Sequence, residues 1–192
     1  MTVIFDFDDT LFDKSSFVDR LAEIMGVSGD EFLDTYNEHF KKNKISYSAY
    51  EHLEVLNGIK REQFDKRSAQ KRVDEFLQDV SAFVFPDAVK LLEAVRKKEP
   101  ELILLSAGNS DFQRVKIKNS GISDFFDKII VTADKVDSLR PWSGKEIIFI
   151  NDKEGENCKV AKEYPLAKVL LINNSRHSCK AYKLKDIIYL WQ

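Results

Sequence analysis

Cysteine is scarce in this chain, with 2 among 192 residues. Cys158 and Cys179 lack the paired spacing of a metal-binding or disulfide framework, so both read as reduced thiols of a cytoplasmic protein. No apolar run approaches the ~20 residues that a membrane helix needs, and no basic leader precedes a long apolar stretch. These absences predict a soluble chain made without export. Charge of one sign is also lacking: 30 basic residues nearly balance 32 acidic ones, for a net charge of -2. That balance gives no basis for a nucleic-acid or anionic-membrane partner, and any bound anion must be held by a local site. No internal repeat or low-complexity tract occurs.

What is present is material for a core. Apolar residues make up 43% of the chain, enough for one domain or for a core domain with a modest insertion. Val3 to Phe5 is a short apolar run bounded by acids, as a buried parallel strand ending in a polar site would be. Residues 14–81 differ in texture: Phe17, Leu21, Ile24, Met25 and then Phe32, Leu33, Tyr36, Phe40 recur at helical spacing. Breaks at Gly26 to Gly29, Asn43 to Ser46 and Asn57-Gly58 divide the segment into about four helices without a strand. Ser46, and Ser28 or Asp30, are the expected N-caps.

Beyond Pro86, a helix over 87–98 leads to the apolar run Leu102 to Leu105, which ends at Ser106-Ala107-Gly108-Asn109. A helix near 111–119 follows, then Ile129 to Val131, Ile147 to Ile150 ending at Asn151-Asp152, and Lys168 to Ile172. Ile187 to Leu190 is expected as a last strand. Short apolar strands alternating with helices predict an α/β parallel sheet covered on both faces. The expected organisation is a core of residues 1–13 and 82–192 interrupted after its first strand by an all-α insertion, residues 14–81. Ligands of such sheets bind beyond the carboxyl ends of the strands, where Asp6, Asp8, Ser106 and Asp152 fall.

Asp6, Asp8 and Asp9 crowd three carboxylates into four positions of VIFDFDDTLFD. Their mutual repulsion calls for a cation, a proton or hydrogen-bond donors among them. With Asp6-Phe7-Asp8-Asp9-Thr10 after the first strand, Ser106 ending LILLSAGNS, and Asp152 and Glu156 in IIFINDKEGEN, the chain resembles the haloacid dehalogenase superfamily of phosphohydrolases. The resemblance implies a Rossmann-like core, with the insertion as a C1-type helical cap that closes over it. It also implies a Mg²⁺-dependent phosphatase acting on a small phosphorylated metabolite. Asp6 would be the nucleophile, forming an aspartyl-phosphate, with its other oxygen on the metal. Asp8 would bind metal through its backbone carbonyl, leaving its side chain free for proton transfer. Asp152 is the remaining metal ligand, Glu156 an outer acid reaching the ion through water, and Asn151 a group that orients them. Ser106, with the N–H groups of Ala107 and Gly108, would bind the phosphoryl oxygens, and Thr10 would order the loop.

The family's lysine is assigned to Lys135, which follows a strand end, whereas Lys128 and Lys145 precede strands. The histidines His39, His52 and His177 show no ligand spacing and read as structural or exposed. Phe32, Tyr36, Phe40, Tyr47 and Tyr50 are expected to form the insertion's own core, with one or two free to line a pocket. The basic groups Lys41, Lys42, Lys44, Lys60, Arg61, Lys66 and Arg67 read as solvated helix faces. A monomer or weak homodimer is expected. Three alternatives stay open: a phosphotransferase or mutase using the same aspartates, a binding module that has lost the chemistry, and the family's dehalogenase branch.

Overall fold

A computed structural model describes residues 1–173 and 182–191. Five parallel strands, β1 (Thr2–Phe5), β2 (Glu101–Ala107), β3 (Lys128–Thr132), β4 (Ile147–Asn151) and β5 (Ala167–Leu171), form one sheet in the order β3-β2-β1-β4-β5. Alternation along the strands sends Val3 and Phe5 to one side of the sheet and Ile4 to the other, so each face has its own core. The first face packs on α5 (Pro86–Lys98) and on Leu184 and Ile187 of α8 (Leu184–Ile187). The second packs on Val160 and Tyr164 at the end of α7 (Glu154–Glu163), and on Leu139 and Trp142 of a 3₁₀ turn. α6 (Ser110–Asn119) connects β2 to β3. Because β1 is central and its two neighbours follow later in the chain, its carboxyl end lies at the switch in strand order where such sheets hold ligands.

Between β1 and α5 the chain forms four α-helices, α1 (Lys14–Met25), α2 (Gly29–Thr35), which runs on into a π-helical turn (Tyr36–Lys41), α3 (Ala49–Lys60) and α4 (Lys66–Phe76), with no strand among them. Asp13 caps α1 by accepting from the Ser16 N–H, Ser28 caps α2 by accepting from the Glu31 N–H, and Gly26 ends α1 at φ 80°. Phe17, Leu21 and Met25 of α1 join the same apolar cluster as Val3 and Phe5, so the insertion's core is continuous with that of the sheet.

Four features differ from the sequence-based expectation. Asn57-Gly58 does not break a helix, because α3 continues to Lys60 with Leu53 and Leu56 buried on one face; packing outweighs the ~1 kcal/mol penalty of an interior glycine. Ser46 caps nothing, since α3 starts after Ser48. Ile187 to Leu190 is helical, continuing α8 into a 3₁₀ turn. Tyr50 is 37% exposed and donates to Asp74 instead of entering the core. His177 and Cys179 lie outside the described residues. No helix among the described residues is long and apolar enough to cross a membrane.

His52 is fully buried in the insertion, with Nε2 2.6 Å from Thr35 Oγ1 and Nδ1 3.3 Å from the Tyr47 hydroxyl. Burial, and secondarily His39, lowers its pKa from 6.5 to about 4. Between those values the unfolded chain holds a proton that the folded chain does not. The stability that depends on neutral His52 is therefore complete above pH 6.5 and is lost as pH falls towards 4. Urea melts at neutral pH and near pH 4 should show native protein losing roughly 3 kcal/mol more than His52→Gln. Equal losses would contradict the burial argument.

Candidate active site

The loop after β1 folds back on itself. The Asp6 N–H donates to the Ile150 carbonyl at 2.9 Å, carrying the β1/β4 ladder one residue further. The Leu11 and Phe12 N–H groups then both donate to the Phe7 carbonyl, at 2.9 and 3.0 Å, and the Asp9 N–H donates to the Phe12 carbonyl at 2.8 Å. Asp9 takes φ 61°, a left-handed conformation that Asp tolerates. Phe7 and Phe12 stack at 4.8 Å. The apolar members of the motif thus anchor the loop, while Asp6 and Asp8 acquire separate partners.

Asp6 faces the β4 side. Lys135, three residues past β3, donates from Nζ to Asp6 Oδ1 at 2.6 Å, and both side chains are 3% exposed. Thr10 Oγ1 donates to Asp6 Oδ2 at 3.3 Å. The same ammonium reaches Asn151 Oδ1 and Glu156 Oε2, each at 3.3 Å. The Asn151 amide in turn donates to Glu156 at 3.1 Å, fixing the acid against the lysine. Burial would lower the Lys135 pKa, but Asp6 and then Glu156 outweigh it and hold the ammonium above its ordinary value.

Asp152, just past β4, is the unsatisfied member. Its Oδ1 is buried and has no hydrogen-bond partner. Desolvation first, and the neighbouring Asp6 carboxylate second, raise it to about 7. A buried carboxyl beside a second carboxylate, with one oxygen unpartnered, is the environment that a hard cation relieves. Asp6 and Asp152 therefore fit a divalent ion such as Mg²⁺. No group of three or more His, Cys, Asp or Glu side chains converges on a metal position among the described residues, so further ligands would be main-chain oxygen and water, as Mg²⁺ accepts.

Asp8 faces the β2 side, where its side chain has two partners. Lys116 Nζ donates to Asp8 Oδ1 at 2.6 Å and Gln113 Nε2 donates to Oδ2 at 2.7 Å, both from α6. Burial would raise the Asp8 pKa, but the Lys116 charge and these hydrogen bonds outweigh it and lower it. Gln113 Nε2 also donates to Ser106 Oγ at 2.7 Å. Gly108, at φ 146°, holds a backbone that a side chain would strain, and brings Ala107 and Gly108 to the start of α6. Lys128 starts β3 and Lys145 precedes β4, at the opposite end of the sheet.

A cavity of about 560 Å³ opens beside Asp8. Gly108 and Asn109 line it on the core side, and Phe32, Tyr36 and Tyr47 on the insertion side, with Lys14 also on its wall. Three of the five insertion aromatics thus line a pocket, while Phe40 is fully buried in the insertion.

Sequence reasoning missed Gln113 and Lys116. In the fold Phe112, Gln113, Lys116 and Ile117 share one buried face of α6, so two polar groups interrupt an apolar stripe and must find partners inside.

The family model for haloacid dehalogenase-like hydrolases matches residues 1–170. Among solved structures, a protein described as a haloacid dehalogenase-like hydrolase, from Burkholderia xenovorans LB400, superposes with a TM-score of 0.73 at 17% identity, covering 97% of this chain and 96% of that one. The L-2-haloacid dehalogenase of Xanthobacter autotrophicus with chloropropionic acid covalently bound gives 0.60 at 17% identity, over 94% and 79%. The HAD-hydrolase YfnB of Bacillus subtilis bound to magnesium gives 0.58 at 15% identity, over 100% and 98%. At these identities the likeness shows the fold alone. No curated protein matches significantly.

Proposed function

Because the chain belongs to the haloacid dehalogenase-like hydrolase family, we propose that it is a Mg²⁺-dependent phosphatase of small phosphate monoesters, acting through an aspartyl-phosphate on Asp6. The observation that carries this reading is the separation of the two aspartates: Asp6 lies against Lys135 and Asp152, whereas Asp8 lies against Gln113, Lys116 and the cavity. On this reading one carboxylate attacks and the other exchanges a proton with the leaving group.

Asp6 and Asp152 would hold Mg²⁺, which supplies positive charge against the phosphoryl oxygens. Lys135 adds a fixed ammonium beside the nucleophile, and Ser106 with the N–H groups of Ala107 and Gly108 binds the remaining phosphoryl oxygens. Asp6 attacks phosphorus, the ester P–O bond breaks, and the leaving oxygen takes its proton from Asp8. The arriving phosphoryl dianion opposes Lys116 electrostatically and favours the protonated Asp8 that this step requires. Asp8 then accepts a proton from the water that cleaves the acyl-phosphate, which restores both aspartates. The insertion acts as the cap, and its aromatic wall receives the leaving group and excludes bulk water.

Phosphate release should be assayed on a panel of aryl, sugar, nucleotide and glycolytic phosphates with Mg²⁺ or EDTA, alongside chloride release from 2-chloropropionate. The expected result is phosphate release that EDTA abolishes, with no chloride. Chloride without phosphate would place the chain in the dehalogenase branch, and transfer only to an added sugar would make it a transferase.

A further inference from the structure

Lys116 has the surroundings of a built site. Its side chain is 4% exposed, and Nζ lies 5.4, 5.0, 5.1 and 6.0 Å from the ring centres of Phe7, Phe12, Phe17 and Phe112. A buried ammonium is costly unless it is paired, and its one carboxylate partner among the described residues is Asp8, at 2.6 Å. Gln113, one turn earlier, completes the arrangement. Its single amide nitrogen donates to Asp8 Oδ2 and to Ser106 Oγ, each at 2.7 Å, while its carbonyl oxygen accepts from Lys116 at 3.3 Å.

We infer that Gln113 and Lys116 are positioning residues for Asp8, locking its carboxylate beside Ser106 and towards the cavity where the leaving group sits. The inference rests on the phosphatase reading above. Both Asp8 oxygens are engaged, so the side chain has no freedom to rotate towards Asp6 and the metal position. The shared Gln113 nitrogen fixes the distance between the group that meets the leaving oxygen and the hydroxyl that meets the phosphoryl group. Gln113 links this pair to Ser106, a connection that neutralising Asp8 would not require. Phe17 belongs to α1, so the insertion itself closes the enclosure around Lys116. The site's acid-base group is therefore held jointly by α6 and the insertion.

The test is a double-mutant cycle of Asp8→Asn and Lys116→Met, read on p-nitrophenyl phosphate and on phenyl phosphate, whose shapes are similar but whose leaving groups differ in acidity. Misplacing a general acid harms the poorer leaving group more. We expect Lys116→Met to lower kcat/KM, which reports the step in which the leaving group departs, about 100-fold on phenyl phosphate and about tenfold on p-nitrophenyl phosphate. In the Asp8→Asn background the same substitution should add less than about twofold. Equal losses on both esters, or losses that multiply across the cycle, would overturn the inference. If Lys116→Met does not fold, Gln113→Leu keeps the ion pair while removing the bridge, and should show the same leaving-group dependence with a smaller loss. Its absence there overturns the inference equally. A wild-type chain that releases phosphate from no member of the panel overturns the phosphatase reading, and this inference with it.

Discussion

Replacing Lys135 by methionine will lower the rate of phosphate release by on the order of 10³-fold and destabilise the fold by about 3–5 kcal/mol. Both effects have one origin. Lys135 is the cation that Asp6, Asn151 and Glu156 share, at 2.6, 3.3 and 3.3 Å. Removing it leaves Asp6, 2% exposed, without its ion-pair partner and beside Asp152. In the reaction the same ammonium offsets the charge that carboxylate and phosphoryl group bring together, a contribution that bulk water cannot replace at a buried position. Steady-state kinetics and urea melts of Lys135→Met measure the two effects, and a Mg²⁺ titration of the variant separates them. A stable variant that retains full activity would remove Lys135 from the site.

The second large effect concerns Asp152 and the metal. Its pKa is raised to about 7 from 3.8, so between those values the folded chain holds a proton that the unfolded chain has released. Stability of the Mg²⁺-free protein should accordingly fall as pH rises from about 4 to 7, by about 2 kcal/mol once its partial solvent access is discounted. Asp152→Asn removes this fall and should be more stable than native protein above pH 7 without metal. Mg²⁺ requires the ionised carboxylate and stabilises the folded state by mass action. Millimolar Mg²⁺ should therefore raise the melting temperature of native protein by several degrees at pH 8, by less at pH 6, and not at all for Asp152→Asn. Scanning calorimetry with Mg²⁺ and with EDTA measures each quantity without reference to activity. A melting temperature indifferent to Mg²⁺ at pH 8 would remove the cation from the account.

Much of the frame was legible because its signals are local. Ile147 to Ile150 and Leu102 to Leu105 are continuous apolar runs ending in polar residues, which is what strands buried on both faces require, and each is part of a central strand of the sheet. Asp6, Ser106 and Asp152 were placed by the rule that such sheets bind ligands at strand ends, and the structure gathers them around β1, β2 and β4. Lys135 follows the same logic after β3.

What stayed hidden depends on tertiary packing. Lys116 sits in QRVKIK, a stretch that reads as a charged helix face until the aromatic rings of the loop and of α1 close over it. The partners of Asp8 were equally hidden, because they lie 105 and 108 residues away. Ile187 to Leu190 misled because a short apolar run does not distinguish a strand from a buried helical turn. The spacing of the buried residues Leu184, Ile187 and Trp191 is helical, and it was the better guide.

The central claim is that Asp6 carries the phosphoryl group. The most direct test is to mix the protein with Mg²⁺ and its best phosphate ester, quench in acid within the first turnover, and locate the added mass by peptide mass spectrometry in native protein and in Asp6→Asn. The account predicts one phosphoryl group on the peptide containing Asp6, labile to hydroxylamine, and neither adduct nor phosphate release in the variant. Phosphate release that persists in Asp6→Asn, or a phosphoryl group on any other residue, would contradict it.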